Sequence, residues 1–258
     1  MSSILLFDIG NTRITIGAYN GDELIATWHI TTRVDGTADE YAVTLRALLR
    51  QQHINGIVFD GCALASSVPP LVSTFEELCA RHLKLKPLVV GPGVKTGLNI
   101  RTDSPREVGA DRICNAVAAK KFYGAPAILI DFSIATIFDA LAENGDYVGT
   151  TIAAGVSTSA EALYRTAAQL PRVELIAPAT KSPIGKNTVS ALQAGLVYGY
   201  VALVEGMIAR LKKELGARAR VIATGEVAHL IAPETKTIDV VDDALTLKGL
   251  KIIWEMNT

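Results

Sequence analysis

The sequence predicts an α/β protein made of two similar lobes, each a mixed sheet flanked by helices. Three observations point there. Two apolar runs, "ILLFDIG" and "PAILIDF", each close on an acid, Asp8 and Asp131. Each is followed by alternating residues around an Asn-Gly pair, Asn20-Gly21 and Asn144-Gly145, a strong hairpin signal. After each hairpin, stretches of helical spacing alternate with short apolar runs. The order of elements repeats in the two halves, and a repeat of this length means two related structural units.

The elements follow in order. "ILLFDIG" reads as a buried strand, and "RITIGAYNGDELIATWHITT" as two antiparallel strands joined by a type I′ turn at Asn20-Gly21. "ADEYAVTLRALLRQQ" has helical spacing, "GIVFDGCALAS" returns to strand, "PPLVSTFEELCARHL" to helix and "KPLVVG" to strand. A helix is expected from Pro105, where proline and Glu107 suit an N-terminus, with Asp111 and Arg112 in its early turns. In the second half "PAILIDF" is a strand, and "ATIFDALAENGDYVGTTIA" is a hairpin around Asn144-Gly145. Helices are expected at about 157–170 and 189–215, a strand at "ARVIAT" and a closing helix at "LTLKGLKIIWEMN". The lobes are expected to span residues 1–120 and 121–258, parting in "AAKKFYGAP".

Composition sets the bounds. The chain has 258 residues, 49% apolar and 20% charged, with a net charge of -1. That balance predicts no general attraction to nucleic acid or anionic membrane. No basic, apolar signal segment opens the chain, and no run is expected to reach the roughly 18 apolar residues of a membrane span. Cys62, Cys79 and Cys114 are odd in number and widely spaced. They read as reduced, buried thiols of a cytoplasmic protein, not as a disulfide frame or a zinc site. His29, His53, His82 and His229 show no ligand spacing, and neither GxGxxG nor a P-loop is present.

Chemistry concentrates in a few stretches. In "DIGNTRITIG" the acid Asp8 ends a strand, and Gly10 permits close approach of backbone. Asn11 and Thr12 offer donors and Arg13 a fixed charge. Such a turn can cradle phosphate, and the acid can hold a bridging cation. An ordinary hairpin turn would look the same, but the paired turn at Asp131 favours two facing walls of a cleft. Asp111 could accept a proton from a substrate hydroxyl while Arg112 holds an anionic end of the substrate. A surface ion pair is the plainer reading of that pair. Gly91, Gly93 and Gly97 mark a turn-rich connection. Asn187 or Thr188 can cap the long helix, on which Gly195, Gly199 and Gly206 would permit close packing, within the lobe or across a dimer seam. Thr224 and Gly225 could border an adenine.

Taken together, "DIGNT", "GPGVKTGLNI", "EVGADRICNAVAA", "LPRVEL", "IGKNTVSALQAG", "YGYV" and "VIATG" resemble, in order and nearly end to end, the type III pantothenate kinases. The resemblance implies duplicated ribonuclease H-like lobes, the actin-like ATPase superfamily fold. It implies ATP-dependent phosphorylation of pantothenate, the first step toward coenzyme A, by a homodimer using Mg²⁺ and a monovalent cation, K⁺ or NH₄⁺. By the same resemblance Asp8, Ile9, Gly10, Asn11, Thr12, Arg13, Ile14 and Thr15 form the ATP phosphate loop, with Ile134 in a second loop. Asp111 is the general base, and Gly109, Ala110, Asp111 and Arg112 bind pantothenate with Thr102 and Thr188. Asp131 is the monovalent-cation ligand.

The chain also departs from the family pattern. Ser133 and Ile134 stand where the second loop carries Gly-Thr, Thr102 where Tyr is usual, Thr150 and Glu226 where glycines are usual, and Ala154 in place of a proline. Three readings follow: an active pantothenate kinase, a catalytically degenerate paralogue that binds or regulates, and a kinase for another small hydroxy acid.

Overall fold

The computed structural model of the protein describes residues 2–258. The chain divides into two compact units. One comprises the chain up to Gly97, Ser104–Ala118 and Leu245–Thr258; the other comprises Leu98–Asp103 and Ala119–Ala244.

The first unit holds β1 (Ser3–Ile9), β2 (Arg13–Asn20), β3 (Glu23–Thr31), β4 (Gly61–Ser66) and β5 (Leu88–Val89), in sheet order β3-β2-β1-β4-β5. β1 pairs antiparallel with β2 and parallel with β4, so it lies at the centre of the sheet. A central strand covered on both faces reads as a continuous apolar run, as "SILLFDI" does. Leu5, Phe7 and Ile9 join Cys62 and Leu64 in a core closed by α1 (Ala38–Gln51) and α2 (Pro69–Leu78). The alternate residues of β1 and its neighbours turn to the other face, where the closing helix α7 (Leu245–Glu255) packs. Gly17 and Gly61 make that packing possible: a Cβ on either would come within 2.8 Å of Leu247 or 2.5 Å of Trp254.

Several expectations are corrected here. Asn20 pairs with Glu23 across the hairpin, so the turn residues are Gly21-Asp22, one position later than Asn20-Gly21. Gly21 has φ +60 and Asp22 is not among the positive-φ residues, the sign pattern of a type II′ turn. β4 begins only at Gly61, because the preceding Val58 is 83% exposed and the Asp60 carboxylate accepts the Ser3 N–H at the start of β1. The helix expected from Pro105 is a single 3₁₀ turn, Pro105–Glu107, which breaks at Val108 where the backbone is extended. α3 (Ala110–Phe122) then starts afresh.

The second unit repeats the arrangement. It holds β6 (Ala127–Phe132), β7 (Ala135–Leu141), β8 (Tyr147–Ala154), β9 (Arg220–Gly225) and β10 (Val240–Val241), in order β10-β9-β6-β7-β8. Ile128, Ile130 and Phe132 of β6 face a core shared with α4 (Val156–Thr166), α5 (Thr188–Leu215) and α6 (Ala228–Ile231). The β7–β8 connection is five residues, 142–146, closed by Gly145 N–H to the Ala142 carbonyl with Gly145 at φ +78. α4 ends at Thr166, short of the expected 170, in a long connection that runs to the cap of α5.

The division differs from the expected 1–120 and 121–258 chiefly at the C-terminus. α7 belongs to the first unit because its apolar face fills the glycine gaps of the first sheet. The expectation that nothing is apolar enough to span a membrane also needs amending. Among the described residues one helix, α5, is long and apolar enough by length and composition, with 33% of the window buried. One face of α5, from Ala194 to Ile208, is a wall of the second core, as expected of a core helix.

Candidate active site

β1 delivers Asp8 to the end of the sheet, opposite Thr15 on β2 and Ala65 on β4. Its side chain points to the α7 face, because Phe7 and Ile9 on either side point into the α1–α2 core. The chain then turns through Gly10, Asn11, Thr12 and Arg13, closed by Gly10 N–H to the Arg13 carbonyl at 3.0 Å. The Thr32 hydroxyl donates to the Gly10 carbonyl at 2.6 Å. A Cβ on Gly10 would lie 2.9 Å from the Arg13 carbonyl oxygen, so glycine allows the turn. The eight residues Asp8–Thr15 are not equivalent. Ile9 and Ile14 are fully buried and can offer a ligand only backbone. The Thr15 hydroxyl is engaged with His29 Nδ1 at 3.3 Å. Asn11 and Thr12 are exposed at the tip, and Asn11 Nδ2 reaches Ser67 Oγ at 3.4 Å.

Asp111 occupies the first turn of α3, with Gly109 immediately before the helix. The break at Val108 puts Asp111 at a helix N-terminus, where the backbone dipole favours a carboxylate. A Cβ on Gly109 would fall 2.4 Å from Asp111 Oδ1, so the carboxylate folds back over the glycine. Asp111 Oδ1 is buried and has no hydrogen-bond partner among the described residues. Buried polar atoms are ordinarily paired, and an orphaned carboxylate oxygen marks where a donor would be received. Asp8 and Asp111 both act electrostatically on one group. The fully buried Cys114 thiol has its pKa pushed up by burial and then by both carboxylates.

In the second unit Asp131 ends β6, beside Thr224 of β9 and Ile137 of β7. A Cβ on Gly225 would lie 2.7 Å from Asp131 Oδ1 and 2.5 Å from the Phe132 carbonyl, and Gly225 has φ +98. Two of the three candidate acids thus lie against a glycine with no space for a side chain. The second turn, Ser133-Ile134-Ala135, is one residue shorter than the first. Ser133 closes it through its N–H to the Ala135 carbonyl at 2.9 Å. The Ile134 carbonyl is held by Gly155 N–H at 2.9 Å and the Thr158 hydroxyl at 2.6 Å. The Ile134 side chain is 44% exposed.

Thr102 sits on a strap that the sequence reading missed. Tyr147 N–H donates to the Asn99 carbonyl at 2.9 Å and Arg101 N–H to the Tyr147 carbonyl at 2.8 Å, adding residues 99–101 to the edge of the second sheet. Thr102 Oγ1 follows, buried and without a hydrogen-bond partner among the described residues. Thr188 lies on a separate element. Asn187, not Thr188, caps α5, its side chain accepting from Ser190 N–H at 2.9 Å. Thr188 is left exposed at the first helical position. Also missed is Asp139 of β7, 1% exposed and hydrogen-bonded to the Tyr147 hydroxyl. An acid in an otherwise apolar strand was the available signal.

The model of the type III pantothenate kinase family matches residues 4–210. A type III pantothenate kinase of Geobacillus sp. is 49% identical over 98% of this chain and 98% of the relative. One from Moorella thermoacetica is 49% identical over 99% and 100%, and one from Syntrophus aciditrophicus is 44% identical over 99% and 100%. Solved structures similar to this chain include an activator of 2-hydroxyisocaproyl-CoA dehydratase from Clostridium difficile with bound ADPNP. It has a TM-score of 0.57 and 13% identity over 98% of this chain and 96% of that one. The ethanolamine utilization protein EutJ from Carboxydothermus hydrogenoformans gives a TM-score of 0.57 at 15% identity over 98% and 90%. At such identities the likeness shows the fold alone, the actin-like ATPase and sugar kinase fold.

Proposed function

The chain belongs to the type III pantothenate kinase family, and from that premise we propose how its own residues carry the reaction. The protein phosphorylates pantothenate with ATP, the committed chemistry of coenzyme A synthesis. Asp111 is the general base. It takes the proton of the pantothenate hydroxyl as that oxygen attacks the γ-phosphorus of ATP; the new O–P bond forms, the β–γ bridging O–P bond breaks, and ADP leaves. Such a transfer runs through a loose transition state, so positioning and electrostatics supply most of the catalysis. The observation that carries the reading is the buried Asp111 Oδ1 at the start of α3, which has no hydrogen-bond partner among the described residues.

Within the first unit, the exposed tip Asn11-Thr12 and the backbone of Asp8–Thr15 would receive the ATP phosphates, and Gly109, Ala110 and Arg112 would bind pantothenate, Arg112 by pairing with its carboxylate. In the second unit Ile134 is proposed as a nucleotide residue, and Thr102 and Thr188 as substrate residues. Among the described residues no three His, Cys, Asp or Glu side chains gather into a metal cage. A hydrated Mg²⁺ fits that donor set, since it needs one or two carboxylates besides the substrate phosphates, and Asp8 would hold it. Bound there it would neutralise charge on the phosphates. The Asp131 carboxylate and the Phe132 carbonyl, both close to Gly225, would offer oxygen ligands to K⁺ or NH₄⁺.

A homodimer is proposed on the outward stripe of α5. Gly195, Gly199 and Gly206 are exposed with open space where a Cβ would stand, and Val189 at its start is 45% exposed. Small residues in such a stripe let two helices approach closely. A cytoplasmic location is proposed from three buried, free thiols and a need for ATP. Full-length similarity at 44–49% identity to named kinases gives the degenerate-paralogue reading no support.

The test supplies purified protein with ATP, Mg²⁺, ammonium and pantothenate and follows phosphopantothenate. Asp111→Asn is expected to lower kcat by roughly 10²–10⁴, the range of a lost general base. Turnover of other hydroxy acids with none of pantothenate would instead favour a different kinase.

A further inference from the structure

We infer that the C-terminal helix α7 is a positioning element for the catalytic base, acting through Thr246 and Asn115. The inference rests on the reading of Asp111 as that base. Because Asp111 Oδ1 has no hydrogen-bond partner among the described residues, none of their side chains holds that oxygen by a hydrogen bond. Its position comes from Gly109, over which it folds, and from the placement of α3 itself. Residues three and four after Asp111 lie on the same helical face, one turn below it. Those residues are Cys114 and Asn115, and α7 grips both. At Cys114 the two helices touch backbone to backbone: a Cβ on Gly249 would stand 1.8 Å from the Cys114 carbonyl oxygen. At Asn115, 1% exposed, the Thr246 hydroxyl donates to Oδ1 at 2.8 Å.

The same helix is fixed to the sheet that carries Asp8. Leu247 fills the gap over Gly17 of β2, and Trp254 the gap over Gly61 of β4. α7 therefore refers the turn beneath Asp111 to the strands that present the phosphate loop. The helix–helix contact sets the separation and the Thr246–Asn115 bond sets the register. Neither residue touches substrate; both act through Asp111. An isosteric loss of the Thr246 hydroxyl leaves the buried Asn115 oxygen without this donor and frees α3 to rotate or slide against α7.

The experiment compares Thr246→Val, Thr246→Ser, Asp111→Asn and the Thr246→Val/Asp111→Asn double variant. It measures kcat, the KM values for ATP and pantothenate, and the melting temperature of each. Thr246→Val is expected to lower kcat by roughly 10- to 100-fold, the penalty of a displaced catalytic group. Both KM values should stay near wild type, and Thr246→Ser should restore kcat. In the Asp111→Asn background, Thr246→Val should cause no further loss. Wild-type kcat in Thr246→Val while Asp111→Asn is inactive would overturn the positioning role alone. The same fractional loss with and without Asp111 would overturn it too, as would a rise in KM for ATP without a fall in kcat. Near-normal turnover by Asp111→Asn would overturn the base assignment and the inference with it. If Thr246→Val does not fold, Thr246→Cys, of similar volume and a weaker donor, takes its place with the same expectations.

Discussion

Asp111 and Asp131 each lie against a glycine: a Cβ on Gly109 would stand 2.4 Å from Asp111 Oδ1, and one on Gly225 2.7 Å from Asp131 Oδ1. The glycines act through the acids beside them. Gly109→Ala is expected to lower kcat at least about tenfold, equivalent to ~1.4 kcal/mol of transition-state stabilisation. Steady-state assays of phosphopantothenate formation check it. Ile134 makes a different point. Its carbonyl is tied to Gly155 and Thr158, while its side chain faces outward. Exchanging Ser133→Gly with Ile134→Thr leaves those backbone bonds available and adds a hydroxyl at the tip. Calorimetry should show tighter ATP binding, and an unchanged affinity would mean that Ile134 does not meet the nucleotide. Asp8, Asp111 and Asp131 were legible because a carboxylate at the end of an apolar strand or the start of a helix stands out. Asn115 and Thr246 were not, since a buried hydrogen bond across 131 residues of sequence leaves no local pattern.

Among the elements, α1 and α7 show how local and long-range forces divide. α1 is specified by its own sequence. Thr37 accepts from Glu40 N–H at 3.3 Å, and Glu40 returns to Thr37 N–H at 2.8 Å, a complete capping box. Thr37→Ala is expected to cost about 1 kcal/mol of stability, measured by denaturant unfolding. α7 is held from outside. Burial draws the pKa of Lys251 down, but its bonds to Glu255 and Asp22 outweigh this and leave it raised. That of Asp22 is lowered by its hydrogen bond and charge contact with Lys251. A raised lysine contributes stability below its unfolded pKa, near 10.4, that is lost as pH climbs through the higher folded value. A lowered aspartate contributes above about 3.9, and that contribution fades as pH falls through the lower folded value. The link between α7 and the β2–β3 turn is therefore intact between about pH 4 and 10. Asp22→Asn should lower the melting temperature slightly at pH 7, since Asp22 is exposed, and leave it unchanged near pH 2. The helix expected from Pro105 failed for a reason spacing could not reveal. Val108 takes an extended backbone, and the helix restarts at Ala110 with the Asp111 carboxylate folded over Gly109.

For the whole molecule, the outward stripe of α5 carries the prediction about assembly. Gly199→Arg should convert the proposed dimer to monomer in sedimentation, because the side chain would fill the space that Gly199 leaves open. Sedimentation identical to wild type would remove α5 from the interface. The duplicated order of strands and helices is legible in the chain, because burial on one or both faces writes its period directly into it. The two acid-ended strands are legible for the same reason: a charge interrupts an apolar run. That α7 returns to the first sheet emerges only on folding. Its seat rests on gaps at Gly17 and Gly61, more than 180 residues earlier. Which face of α3 is gripped beneath Asp111 emerges the same way. A contact set by the missing side chain of Gly249 leaves nothing in the sequence but a glycine.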